Sequence, residues 1–202
     1  MRRRVVFIRH GATKGNKEGR YVGRTDEGLT PEEYVRLAKE EKISGRVYTS
    51  PMKRCVQTAE CLCDSRDYTI IPLWREKDFG AYEYKNYQEL KDDERYLRWV
   101  LSGGSLPFPE GESMEDFDKR CIRGFYQVLA MEEEREKQGE KDIPVVCVLH
   151  GGVIMSLLSC FGHEGKTFYD YQCENGGGYV FDCVWSAPEK NAIKFERIEK
   201  KH

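Results

Sequence analysis

Two histidines in this chain stand directly after apolar runs. Ile8-Arg9-His10-Gly11 closes the run Val5-Val6-Phe7-Ile8, and Leu149-His150-Gly151-Gly152 closes the run that starts at Pro144. An imidazole with an unprotonated ring nitrogen can attack phosphorus. A guanidinium, as at Arg9 and Arg54, offers a fork of donors that suits a phosphoryl group. A carboxyl such as Glu76 supplies a proton donor and acceptor. Taken singly, each has an ordinary role: a satisfied histidine, a solvated helix arginine, a surface carboxylate. Placed together at the carboxyl ends of strands, where α/β proteins bind ligands, they describe a pocket.

Those strand ends require a sheet, and the chain supplies one. Val5–Ile8 is a β-branched run buried on both faces, and Arg46–Thr49, Tyr68–Leu73 and Pro144–Leu149 read as further strands. Segments 178–185 and 192–198 are β-rich and joined by a turn around Pro188. Gly11 and Gly15 let the backbone turn tightly and approach a ligand, and residues 12–29 read as a glycine-punctuated loop. Thr30-Pro31 starts a helix, with Glu33 closing a capping box. Ser50 caps and Pro51 leads a helix to about Cys63. Residues 86–101 form one helix, Ser113 caps a long helix to about Glu136, and Val153–Cys160 forms another that ends at Gly162. The run Glu132–Asp142 reads as a solvated helix end. Strands alternating with helices give an α/β sandwich.

Composition narrows the function. The chain has 202 residues, 33 of them basic and 35 acidic, so no global field favours nucleic acid. Its longest apolar stretch, Gly151–Gly162, is too short to span a bilayer. The 8 cysteines show no CxxC pair and no metal-ligand spacing, which fits reduced cytoplasmic thiols. His163 and His202 read as exposed.

Beyond these residues the chain resembles a known family along most of its length. Arg9-His10-Gly11-Ala12-Thr13-Lys14-Gly15-Asn16 resembles RHGxTxxN, and Gly23-Arg24-Thr25-Asp26-Glu27-Gly28-Leu29-Thr30 resembles GxxDxxLT. Ser50–Ala59 resembles SPxxRxxQTA, Arg75–Gly80 resembles RExDFG, Gly111-Glu112-Ser113 a GES element, and His150-Gly151-Gly152 the second histidine. These are the motifs of the histidine phosphatase, or phosphoglycerate mutase-like, superfamily; the α-ribazole phosphatase branch is closest in look. The resemblance implies a three-layer α/β/α sandwich with a mostly parallel central sheet. It also implies one domain over 1–202 with a helical lid insertion at about 80–112.

The resemblance assigns roles as well. His10 would be the nucleophile, its second nitrogen donating to a backbone carbonyl. Arg9, Arg54 and His150 would hold the phosphoryl oxygens and Asn16 would add an amide donor. Val22, Gly23 and Gly151 would line the substrate site. Glu76 would be the general acid and then the base, sheltered from water by Trp74 and Phe79. Glu112 is either a helix-leading carboxylate or a substitute acid, and Tyr82, Tyr84 and Tyr87 either pack the lid or grip a nonpolar leaving group. No metal and no cofactor is implied. The partner is a small phosphorylated metabolite, with no nucleic acid and no membrane, and a homodimer is left open. Departures lie at Glu33, Tyr82-Glu83-Tyr84 and the glycine-rich Asn175–Gly178. Hydrolysis of a phosphomonoester is the first reading; a mutase and a non-catalytic phospho-ligand binder are the alternatives.

Overall fold

The computed structural model describes residues 1–140, 143–162, 165–187 and 192–201. Six strands, β1 (Arg2–Arg9), β2 (Arg46–Thr49), β3 (Tyr68–Ile70), β4 (Val145–Leu149), β5 (Gly178–Trp185) and β6 (Ile193–Lys201), form one sheet in the order β3-β2-β4-β1-β5-β6. The first four in that order run parallel, while β5 lies antiparallel to both β1 and β6. The expected mostly parallel α/β/α sandwich is the fold. Helices α1 (Lys14–Lys17), α2 (Pro31–Ala38), α3 (Lys53–Leu62), α4 (Tyr87–Leu90), α5 (Glu94–Leu101), α6 (Met114–Lys137) and α7 (Gly151–Phe161) complete it. Among the described residues, no helix is long and apolar enough to cross a membrane.

Strand alternation explains why the central runs are apolar throughout. Val6, Ile8, Val146 and Val148 face α2 and α3, where they bury Leu37, Cys55 and Ala59. Val5, Phe7, Cys147 and Leu149 face α6 and α7, packing with Phe117, Phe125, Ile154 and Leu157. Phe7 meets the rings of Phe125, Phe181 and Phe195 edge-on, which locks β1 into this core. Each such buried side chain contributes roughly 1.5–3 kcal/mol. The register that results pairs Arg9 with Leu149. His10 and His150 therefore emerge side by side, and His10 N–H donates to Leu149 O at 2.9 Å.

Local starts and stops differ from expectation where tertiary partners compete for a side chain. Thr30 caps α2 through the Glu33 N–H, but Glu33 closes no capping box. Its carboxylate instead accepts from Ala12 N–H at 3.0 Å and from Arg36 at 2.8 and 2.9 Å, which ties α2 to the loop after His10. Helix α3 starts at Lys53, later than expected, and Asp26 Oδ1 accepts its Lys53 N–H at 2.7 Å; Ser50 is engaged elsewhere. Inside the expected loop 12–29, Thr13 and Asn16 form a capping box around α1. Residues 86–101 split into α4 and α5, because Asp93 caps Arg95 and Tyr96. Strand β3 stops at Ile70, as Pro72–Trp74 turns into a 3₁₀ segment. The turn at Pro188, together with Asp142, His163 and His202, lies outside the described residues.

The charged run at 132–142 does not begin in solvent. Glu132 is 1% exposed and accepts from Arg46 at 2.7 Å and Tyr48 at 2.6 Å. It thereby clamps the carboxyl-terminal part of α6 to β2. Removing one partner of a buried charge pair leaves the other unsolvated, at a cost of about 3–5 kcal/mol. Glu132→Ala is expected to lose that much stability in urea unfolding, whereas Glu132→Gln, which keeps one acceptor oxygen for Tyr48 and Arg46, loses less.

Candidate active site

The site forms where β1 and β4 end and where the loops after β2 and β3 reach the same edge. His10 is 4% exposed and His150 fully buried, with ring centroids 5.1 Å apart. His10 Nδ1 lies 2.7 Å from Gly11 O. A carbonyl can only accept, so Nδ1 carries the proton and Nε2 keeps its lone pair. Burial, with the charges of Arg54 and Arg9 added, holds His10 well below the ordinary imidazole range. The second histidine is fixed from both sides. Arg54 Nε donates to its Nδ1 at 3.3 Å, so its Nε2–H faces Ser50 Oγ at 2.7 Å. Burial, and the charge of Arg54, depress His150 as well.

Arg54 is completely buried. Its guanidinium donates to the carbonyls of Thr25 at 2.8 Å, Val22 at 3.3 Å and Gly23 at 2.9 Å. Val22 and Gly23 thus meet the site through carbonyls that position Arg54. Gly23 N–H in turn donates to Glu83 Oε1 at 3.0 Å, which also accepts from Thr25. Arg9 donates from Nη1 to Cys173 O at 2.6 Å, and its buried Nε has no partner among the described residues. Gly151 packs against that same Nε.

Glu76 reaches the site over α7. Its Oε2 accepts from Gly152 N–H at 3.1 Å and its Oε1 from Lys77 N–H at 2.9 Å. A Cβ at position 152 would collide with Oε1, so glycine there is what admits the carboxylate to the helix N-terminus. Phe79 and Glu76 line one cavity beside the histidines. Trp74 does not: it is turned into the core, donating to Cys121 O at 3.3 Å. Glu112 is paired with Arg120 at 2.6 Å, which makes it a structural carboxylate.

Gly11 serves packing more than ligand approach, since an added Cβ would meet Leu37 and Glu33. Its N–H donates to Thr58 Oγ1 at 2.9 Å, and Thr58 donates to Arg54 O. Asn16 Oδ1 accepts from Thr13 N–H and from Asn175 Nδ2, both at 3.2 Å, which leaves its own Nδ2 to donate. Asn175 also donates to His10 O at 3.0 Å, and Gly176 N–H to Arg9 O at 3.0 Å. The Asn175–Gly178 loop therefore braces the turn at His10. Ser50, Thr58, Glu83, Cys173 and Asn175 are positioning residues that the sequence reading missed. Only Ser50 and Thr58 sat inside a recognised motif, and the partners that tie them to the site, His150 and Gly11, are more than forty residues away. Cys55 approaches His150 at 3.5 Å, but burial pushes its thiol up to about 12, so it is no rival nucleophile. Among the described residues, no group of three or more His, Cys, Asp or Glu could hold a metal ion.

This constellation, on this sheet, matches the model of the histidine phosphatase superfamily (branch 1) over residues 5–192. The chain belongs to that superfamily. A relative from Hydrogenobacter thermophilus named "Putative phosphoserine phosphatase 2" is 29% identical over 187 residues and is aligned over 87% of each chain. A phosphoglycerate mutase structure from Thermus thermophilus superimposes with a TM-score of 0.66 at 27% identity, over 98% of both chains. The α-ribazole phosphatase of Shigella flexneri gives a TM-score of 0.71 over 96% of this chain and 94% of its own. At 22% identity that likeness concerns the fold.

The depressed histidines fix a pH dependence. Their unfolded pKa is about 6.5 and their folded values lie lower, so the unfolded chain binds more protons below that pH. Stability is full above pH 6.5 and is lost as pH falls, by up to about 1.4 kcal/mol per pH unit for each histidine. Urea unfolding between pH 7.5 and 5 is expected to show this decline, and His10→Gln to make it shallower.

Proposed function

We propose that the chain is a phosphomonoesterase that works through a phosphohistidine on His10 and needs no cofactor. The observation that carries this reading is the His10 Nδ1–H bond to Gly11 O, which aims a neutral Nε2 lone pair out of a cationic cluster. In the first step Nε2 bonds to phosphorus, the ester P–O bond breaks, and the leaving oxygen takes a proton from Glu76. In the second, the Glu76 carboxylate takes a proton from water, the water oxygen bonds to phosphorus and the N–P bond breaks. Arg9, Arg54 and the Asn16 amide steady the three equatorial oxygens, whose charge dominates the catalytic demand. His150 joins them by giving up Ser50 Oγ and turning its Nε2–H to the phosphoryl group. Arg54 enters this role by exchanging carbonyl partners for phosphoryl oxygens. Gly151, Val22 and Gly23 border the phosphoryl group, and the segment at about 80–112 acts as a lid on a single domain. Eight unbridged thiols support a reducing, cytoplasmic setting.

Transfer to a second hydroxyl is the other reading, supported by the full-length likeness to the Thermus phosphoglycerate mutase. Release of inorganic phosphate, with and without 2,3-bisphosphoglycerate, separates the two. A metabolite screen that contains α-ribazole 5'-phosphate, phosphoserine and 3-phosphoglycerate addresses the substrate.

Rapid-quench labelling with a ³²P substrate is expected to give an acid-labile, base-stable phosphoenzyme, absent in His10→Ala. Label that survives acid would point to a hydroxyl nucleophile and overturn the mechanism. The burst rate also tests Glu76. p-Nitrophenolate leaves unaided, whereas an alkoxide needs a proton, and that assistance is worth ~10²–10⁴-fold. Glu76→Gln is therefore expected to slow the burst severely with alkyl phosphates and mildly with p-nitrophenyl phosphate. Equal losses would show that Glu76 only supports the loop.

A further inference from the structure

Beside the histidine cluster lies a cavity of about 370 Å³, entered past Arg9, Glu76 and Gly151. Its walls carry Tyr21, Phe79, Trp99, Phe108, Phe117 and Tyr169. Such walls offer aromatic surface against which an apolar ring can pack. They also carry an unusual charge. Lys77 is 7% exposed; its Nζ lies 3.4 Å from Met114 Sδ and 5.2 and 6.0 Å from the ring centroids of Phe108 and Phe117, while Asp118, Glu112 and Glu76 act on it without an ion pair among the described residues. Met114, Phe108 and Phe117 all line the same cavity.

No carboxylate among the described residues pairs with this ammonium. Asp118 accepts from Ser156 at 2.6 Å, Glu112 is held by Arg120, and both oxygens of Glu76 take backbone N–H groups. Two further donors around the cavity, Trp99 Nε1 and Arg9 Nε, are buried without a partner among the described residues. A desolvated cation with unspent donors is costly until an anion arrives. Burial lowers the Lys77 pKa, as that cost requires.

We infer that this cavity receives the organic half of the substrate, and that this half is a flat apolar ring bearing an anionic substituent that pairs with Lys77. The inference rests on the phosphatase reading of the adjoining cluster and names the substrate class. A small amino-acid phosphate would leave the aromatic walls unfilled and set its ammonium against Lys77. A three-carbon acid phosphate would supply the anion without the ring.

The test is calorimetric titration of three non-hydrolysable probes: benzylphosphonate, 3-carboxybenzylphosphonate and 4-carboxybenzylphosphonate. A charge-assisted hydrogen bond is worth about tenfold or more in affinity. The wild-type protein is expected to bind one carboxylated isomer at least about tenfold more tightly than benzylphosphonate. Lys77→Met should erase that preference while still binding benzylphosphonate. Lys77→Arg should keep part of it, and it serves as the variant should the methionine form fail to fold. No preference in the wild type, or a preference that survives in Lys77→Met, overturns the inference. Equal weakening of all three probes also overturns it, since Lys77 would then hold the phosphonate itself. Acid-labile label without a carboxylate preference removes this inference and leaves the hydrolase; a preference without label does the reverse.

Discussion

The site depends on a guanidinium that has been taken entirely out of water. Arg54 is buried and forms no ion pair with a carboxylate among the described residues; its charge is answered by the carbonyls of Val22, Gly23 and Thr25 and by the ring of His150. Carbonyl dipoles lessen the desolvation cost but do not cancel the charge. Burial depresses both histidines and the uncancelled field adds to it; the same field makes the pocket attractive to a dianion. A carboxylate partner would have stabilised Arg54 better, removed its share of the histidine depression and weakened the pull on a dianion.

Holding three carbonyls at one guanidinium requires a stiff loop, and much of the molecule supplies stiffness to it. Glu83 gathers the N–H groups of Gly23 and Thr25, while Asp26 takes the first amide of α3. Glu27 accepts from Gly15 N–H and from Tyr84 OH, joining this loop to the turn after His10. Gln57 accepts from Leu29 N–H. These acidic and amide side chains bind backbone N–H groups, not arginine, so they fix geometry without discharging the cluster.

The sheet, the two histidines and the arginines were legible in the sequence because each rests on a local signal. An apolar run specifies a buried strand, and a short motif marks the polar residues at its end. The misreadings share one cause: a polar side chain has several candidate partners, and only the folded chain decides among them. Ser50 reads as a helix cap and instead meets His150. Glu33 reads as part of a capping box and instead holds Ala12 N–H. Glu132 stands in a charged run, yet it is buried because Arg46 and Tyr48 arrive from β2. Trp74 reads as a shield for Glu76, but the space over Gly124 of α6 admits its ring, so it turns inward. Long-range choices of this kind have no period and no fixed spacing to detect.

The bracing of His10 by the Asn175–Gly178 loop has a bearing on biosynthesis. His10 follows the end of β1, which leaves the ribosome long before its pairing partners, β4 and β5. Asn175 reaches back 165 positions to the His10 carbonyl, and Arg9 finds Cys173 across 164. Closing loops of that length makes native pairing late and slow. During synthesis β1 is an unpaired apolar strand, a species prone to association. The three arginines that precede Val5 place positive charge next to that strand throughout the wait, and once the hairpin arrives two of them, Arg2 and Arg4, pair with Asp182. The same residues can thus guard the nascent strand and later fasten the sheet that completes the site.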